Sequence, residues 1–250
     1  MEKMSSNTNI RHLKYSVVIP VYNSEATLEE LCQRISAVFN NIGHPYEIIL
    51  VNDASSDGSW LIMRKLKESL SNIKIIQLMR NFGQHNAVIC GLHYVTGDYV
   101  ITMDDDLQNP PEEIPKLISR ITDGYDVVIG AQKIKQHSSF KNLSSFVIRY
   151  LNEKIFNKPK ELRLSSYRIF TRAVADEIKA LRTPYPYISG QLLSITSNIV
   201  NVEVIHDKRK YGKSTYSFRK LLSLALNLII NYSSLPLKIL TFIGINVAAI

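Results

Sequence analysis

Three consecutive aspartates, Asp104, Asp105 and Asp106, interrupt the segment ITMDDDLQNPPEEIP. Packing three carboxylates together costs repulsion that a turn built for shape alone avoids with one Asp or Asn. If YVITM is a strand, its side chains alternate, and an extended continuation puts Asp104 and Asp106 on one side. Two carboxylates so placed can share a divalent cation. Mg2+ or Mn2+ takes one or two protein carboxylates and completes its shell with substrate phosphate and water. Zn2+ would want the His or Cys that this stretch lacks, and the run does not match a calcium-binding EF-hand loop. The plainer alternative is a solvated acidic turn leading into a helix, and the run by itself does not choose. Asp53, in VNDASSDGS, can accept hydrogen bonds from a nucleobase or ribose, or cap a helix, a duty that suits Asp57 better. Arg80, in MRNFGQ, suits a phosphate or a structural pairing with one of these acids.

The elements around these residues alternate. YSVVIPVY, YEIILVN, NIKIIQLM, GDYVITMD and YDVVIGA read as strands. Between them SEATLEELCQRISAVF, WLIMRKLKESL, NAVICGLHYV and PPEEIPKLISRI read as helices. Thr27 and Glu30 have capping-box spacing at the first helix, and PPEE places Pro and acids in a first turn that favours both. Strands alternating with helices of this length predict βαβ units and a mostly parallel α/β sheet covered on both faces. The second half is less regular: helices near FVIRYLNEKIF and TRAVADEIKAL, and strands at SSYRIF and NIVNVEVI. In such sheets ligands gather at the carboxyl ends of strands. The unusual loops, PVYNSE, NDASSDG, RNFGQ and DDDLQ, all follow strands. None is a Gly-rich phosphate loop, so dinucleotide oxidoreductases and P-loop enzymes lose their main support. That shared position also favours the metal reading of the acidic run over the solvated turn.

Charge divides the chain. Residues 1–132 carry 11 Lys and Arg against 16 Asp and Glu, whereas residues 133–220 carry 18 against 6. An acidic half joined to a basic half predicts a basic surface for anionic partners. The two cysteines, Cys32 and Cys90, sit in apolar helical contexts and read as buried thiols of a reducing compartment. No secretory h-region precedes the first strand. The last thirty residues hold a single charge, Lys238, and directly follow the basic HDKRKYGKSTYSFRK, the arrangement that anionic lipid attracts. After Pro236 only 14 residues remain, fewer than the roughly 20 that span a bilayer, so a membrane-surface segment or the start of a transmembrane helix is expected, with a core helix as the alternative.

With these pieces in place, the chain resembles the family-two glycosyltransferases of the GT-A fold, and among them the dolichol- and polyprenyl-phosphate sugar transferases. The matching segments are VVIPVYNSEATL, EIILVNDASSDGS, RNFGQHNAVICGL, GDYVITMDDDLQNPPE, SSYRIFTR and RKYGKSTYSFRKLL, in order over roughly residues 15 to 240. Any one of them is weak; six in order are specific. The resemblance implies a GT-A, Rossmann-like sheet flanked by helices, with amphipathic, membrane-proximal helices at the C-terminus. It implies a tail at 1–14 and a catalytic domain at 15–216, divided into a nucleotide-sugar and metal half (15–132) and an acceptor half (133–216). A membrane-interface segment would occupy 217–250.

By the same resemblance Pro20, Tyr22, Glu25 and Asp53 line a nucleoside pocket, with Arg80 on the donor side. Asp104 and Asp106 match the family's D-x-D, which holds Mg2+ or Mn2+ on the donor diphosphate, with Gln108 beside them and Asp105 behind them or toward the sugar. Arg168, Arg209, Lys213 and Ser214 face donor and acceptor phosphates. Two departures stand out. Many relatives carry an acid, discussed as a catalytic base, where this chain has Ser166. The family's Arg after the fifth strand is Gln132 here, with Lys133 next to it. The partners implied are a nucleotide-sugar donor, UDP-sugar favoured, a polyprenyl-phosphate acceptor and the cytoplasmic face of a membrane. Nucleic acid is not expected, and homo-oligomerisation stays open.

Other classes fit less well. A processive polysaccharide synthase would carry Q-x-x-R-W, and the single Trp is Trp60. A nucleotidyltransferase would want a Gly-rich basic loop where PVYNSE stands. A sugar-hydroxyl acceptor, or a catalytically silent membrane- or partner-binding module on the same fold, remains the alternative.

Overall fold

The computed structural model describes residues 13–132, 142–207 and 218–248. In chain order it runs β1 (Tyr15–Val21), α1 (Leu28–Ile42), β2 (Tyr46–Asn52), α2 (Ser59–Ser69), β3 (Ile73–Gln77), α3 (Gln84–Leu92) and β4 (Tyr99–Thr102). A 3-10 turn (Pro111–Glu113) leads into α4 (Ile114–Ile121), then β5 (Val127–Gln132), α5 (Asn142–Ile155), β6 (Arg168–Thr171) and α6 (Arg172–Ala180). The chain continues through α7 (Ile188–Ile195), β7 (Ile199–Val204), α8 (Phe218–Tyr232) and α9 (Leu235–Ala248). Each strand expected from the sequence is present. Helix α7, in YISGQLLSI, was not expected.

The strands form one sheet in the order β3-β2-β1-β4-β6-β5-β7. Alternation along β1 sends Val17 and Ile19 into one core, beneath α1, α2 and α4, and Val18 into the other, beneath α3, α6 and α7. The apolar strands are therefore buried on both faces. Gly91 lets α3 settle on β1, because a Cβ there would meet Val18 Cγ1 at 2.5 Å.

β6 is the exception to the parallel arrangement, running antiparallel to both β4 and β5. This places the amino end of β6 beside the carboxyl ends of its neighbours, with Arg168 opposite Thr102 of β4 and Ile129 of β5. The reversal brings SSYRIF to the same edge of the sheet as DDDLQ.

The capping box expected at α1 does not form. Thr27 makes no side-chain cap; its hydroxyl instead donates to the Asp105 carbonyl at 2.6 Å. A tertiary partner has taken the group that a local motif would use, tying the start of α1 to the acidic loop.

At the opposite edge of the sheet Glu47 is buried, 4% exposed. It accepts from Ser16 Oγ at 2.7 Å and Thr96 N at 2.6 Å, and pairs with Lys74 at 2.8 Å. Burial alone would raise its pKa, but Lys74, Ser16 and Thr96 together hold it down, from 4.5 to about 2. A carboxyl depressed in the folded state stabilises above its unfolded pKa and loses that contribution as pH falls through the folded one. Glu47→Gln should therefore lower stability by about 2 kcal/mol at neutral pH, after allowing for solvent screening. The difference from the parent protein should close between pH 4.5 and 2 in denaturant titrations.

Candidate active site

The loop after β4 departs from an extended strand, with Leu107 at φ +60°. Its three carboxylates face different partners. Asp104 accepts from Ser166 Oγ at 2.6 Å and from Gln84 Nε2 of α3. Asp105 accepts from Tyr22 N at 3.0 Å and from the Ser24 hydroxyl, so it holds the loop after β1. Asp106 accepts from Gln108 N at 3.1 Å. Burial raises the Asp104 carboxyl, with the Ser166 hydroxyl opposing and Asp106 adding to the rise. Burial also raises Asp105, to about 6, against the hydrogen bonds from Ser24 and Tyr22. Carboxyls pushed up in this way mark a place short of positive charge.

Across the cleft, Arg168 is 3% exposed. Its Nε donates to Thr102 Oγ1 at 3.3 Å, and a terminal nitrogen donates to Ser189 Oγ at 3.1 Å. Thr102 Oγ1 in turn donates to the Ser166 carbonyl at 2.6 Å. Burial lowers the guanidinium to about 10, partly offset by Tyr187 and Asp104. Arg168, Thr102, Ser166 and Asp104 therefore form one connected polar chain across β4 and β6.

A cleft of about 920 Å³ opens here, lined by Pro20, Asp104, Ser166 and Arg168. Arg149, Lys158, Lys160 and Arg163 add basic side chains to its walls, with Glu161 among them. A second cavity of about 540 Å³ shares Asp104, Ser166 and Arg163 and extends to Gln132 and His206. Gln108 reaches toward the same β7 end: its Nε2 lies 3.4 Å from His206 Nε2, and its carbonyl accepts from Asp207 N at 2.8 Å.

The remaining candidates are spread around the loops that follow β1, β2 and β3. Tyr22 is half exposed. Glu25 is exposed, and its carboxylate accepts from Gly58 N at 2.6 Å. Arg80 lies over the Phe82 ring at 4.7 Å. Asp53 is buried, and its two oxygens accept from Phe82 N at 2.7 Å and Gly83 N at 2.8 Å. Gly83 stands at φ +88°, where a side chain would be strained. Asp53 therefore shapes the RNFGQ loop from beneath. Asp53→Ala would leave two amides without their acceptor, and about 2–4 kcal/mol of stability should be lost, read as a lower melting temperature, with donor affinity falling alongside. An unchanged melt would sink this account. Lys133, Arg209, Lys213 and Ser214 lie outside the described residues.

Several side chains in the cleft carry no signal of their own in the sequence. Gln84 and His85 sit inside the quoted RNFGQH segment. Tyr187, Ser189, Asn152 and Lys158 belong to no motif. Burial, helped by Arg168, lowers His85 to about 4, which keeps the imidazole neutral near pH 7.

Glycosyl transferase family 2 is the family whose model matches residues 16–179. The chain belongs to this family. It is therefore a glycosyltransferase, and its sheet is the GT-A type expected from the sequence. It is 36% identical over 232 residues to the undecaprenyl-phosphate 4-deoxy-4-formamido-L-arabinose transferase of Klebsiella pneumoniae, covering 92% of this chain and 71% of that one. Two solved structures share the fold. Glucosyl-3-phosphoglycerate synthase from Mycobacterium tuberculosis, solved with Mn2+, UDP and phosphoglyceric acid, is 20% identical at a TM-score of 0.62, covering 87% of this chain and 76% of that one. S. aureus TarS, solved with UDP-GlcNAc, is 21% identical at a TM-score of 0.56, covering 88% and 67%. The residues matched by the family model include Asp104, Ser166 and Arg168.

Proposed function

We propose that this family 2 glycosyltransferase moves a sugar from a nucleoside-diphosphate donor, UDP-sugar favoured, onto the phosphate of a polyprenyl lipid. The observation that carries this reading is Ser166. By the resemblance it takes the place of an acid that many relatives carry, and its hydroxyl is spent as a donor to Asp104 at 2.6 Å. A hydroxyl so engaged does not take a proton from an acceptor, which favours an acceptor that arrives ionised. A phosphate monoester has a second pKa near 6 and is largely dianionic at pH 7. Such a nucleophile needs positioning and charge screening, which Arg168 and the basic walls of the cleft supply. The similarity to an undecaprenyl-phosphate transferase supports the same acceptor class.

The donor half fits a divalent cation. Asp106 lies close enough to Asp104 to raise the proton affinity of that carboxyl, with Gln108 next to them. Among the described residues no group of three or more His, Cys, Asp and Glu converges to cage a metal. The remaining positions would fall to a diphosphate and water, as Mg2+ and Mn2+ accept. Bound there, the ion supplies neutralisation for the charge that grows on the leaving β-phosphate. The protein's own groups do the rest. Ser166 and Gln84 orient Asp104, Asp105 secures the loop after β1, and Arg168 screens the incoming phosphate. The lipid phosphate oxygen attacks the anomeric carbon, the bond from that carbon to the diphosphate breaks, and the nucleoside diphosphate leaves with the electron pair.

The reading places the enzyme at the cytoplasmic face of a membrane. No single helix among the described residues is long and apolar enough to cross one. The pair Leu222–Tyr232 and Pro236–Asn246, bent by 68°, reaches that length and apolarity only together. Leu226, Ile230, Leu240, Phe242 and Ile245 are exposed along it, as a surface-lying anchor would require.

The test is transfer of labelled sugar from a panel of UDP-sugars to undecaprenyl phosphate in detergent, with Mg2+ or Mn2+. Label should enter an organic-soluble lipid phosphate product and stop with excess chelator. Transfer only to a sugar hydroxyl, or transfer unaffected by the chelator, would overturn the acceptor or the metal reading respectively.

A further inference from the structure

Helix α8, the first of the two that follow the sheet, faces two ways. Leu222, Leu226 and Ile230 are exposed on its outer side, while Leu228 is buried against Phe156 and Tyr187. The helix also reaches the cleft itself, where Leu224 is part of the lining.

Its last residue is tied to a different element. The Tyr232 hydroxyl donates to the Tyr185 carbonyl at 3.1 Å and accepts from Tyr187 N at 3.0 Å. One hydroxyl thus grips both ends of the short stretch leading into α7. Tyr187 then lines the cleft: its ring meets His85 edge-on at 5.6 Å, and its hydroxyl accepts from Asn152 Nδ2 of α5 at 3.1 Å. Two residues later Ser189 accepts from the Arg168 guanidinium. The path from α8 to Arg168 runs through a few bonded neighbours.

Tyr187 and Ile188 are buried in the cores on this side of the sheet, but the stretch is not packed all round. A cavity of about 330 Å³ lies beside it, lined by Phe82, His85, Tyr185, Tyr187, Asn227 and Tyr232. On the side that faces this open space, the Tyr232 hydroxyl is what ties Tyr185 and Tyr187 to α8.

We propose that Tyr232 is a positioning residue: through Tyr185 and Tyr187 it fixes the wall of the cleft that frames Arg168 and the acceptor phosphate. This rests on the reading of the cleft as the acceptor site. The helix with an apolar outer face is then part of the frame of the reaction centre, and its seating on the protein governs acceptor capture.

Tyr232→Phe keeps the ring against Phe156, 5.3 Å away, and removes only the hydroxyl. Steady-state kinetics with undecaprenyl phosphate should show acceptor KM raised ~10-fold, as expected for two lost hydrogen bonds. Donor KM and kcat should stay within about twofold, a split that general loosening of the fold would not produce. Tyr187→Phe should act in the same direction, and the double variant should fall short of the summed effects because both act on one wall. Amide exchange should quicken at Tyr187 in Tyr232→Phe, a readout independent of turnover. An active parent protein whose Tyr232→Phe variant has unchanged acceptor KM, or equal rises in both KM values, overturns the positioning role alone. A parent protein that transfers sugar to no lipid phosphate overturns the reading of the cleft, and this role with it.

Discussion

Replacing Asp104 or Asp106 with Ala should lower sugar transfer by at least ~10³-fold, beyond the 10–100-fold usual for groups that only orient a metal ligand. The fold should survive. Asp104 lies in an open cleft, so Ser166 and Gln84, once released, can turn to water. Removing one of several crowded carboxylates also relieves repulsion, because Asp104 and Asp106 each raise the neighbouring Asp105 carboxyl. The melting temperature in the absence of metal should therefore hold or rise slightly, while kcat/KM with saturating Mn2+ collapses. Substantial transfer by both variants would remove the metal from the mechanism. A large drop in melting temperature would instead recast the run as a structural turn.

The second large effect is expected at Arg168. Arg168→Met keeps roughly the same volume and should lower kcat/KM ~10²–10³-fold, the range for losing one preorganised group that stabilises developing charge. Stability should move by no more than about 1 kcal/mol. The hydrogen bonds lost to Thr102 and Ser189 are offset by no longer burying a desolvated cation. The pH profile offers a further check. Arg168 lowers the proton affinity of Asp104, so its removal should raise that affinity. The acid limb of the residual activity should then shift to higher pH, since the ionised carboxylate is the working form. Activity above about a tenth of the parent, or an unmoved acid limb, would detach Arg168 from the reaction.

Much of the framework was legible because it depends on local periodicity. The β-branched runs of β1, β2 and β5 are apolar on both faces, a pattern that only a doubly covered sheet satisfies. The acidic run stood out because its repulsion has no local explanation. Two features were not legible for a shared reason. The Thr27 and Glu30 spacing matches a capping motif, yet whether the hydroxyl caps or reaches Asp105 depends on a partner far along the chain. Helix α7 lies in YISGQLLSI, whose short apolar run does not distinguish a buried helix from a strand.

The sequence by itself determined the strands and the alternating α/β class, which are written in side-chain type and near-neighbour spacing, and it carried the motifs by which the chain resembles its family. Only the tertiary structure decided which groups meet. The reversal of β6 sets Arg168 opposite Thr102 and Ser166 on Asp104. Asp53 proves to be engaged by backbone amides beneath the RNFGQ loop. The Tyr232 hydroxyl joins α8 to the cleft across 45 residues of chain. Contacts of that range are fixed by strand direction and by the competition of polar groups for buried partners, and neither is encoded in any single stretch of residues.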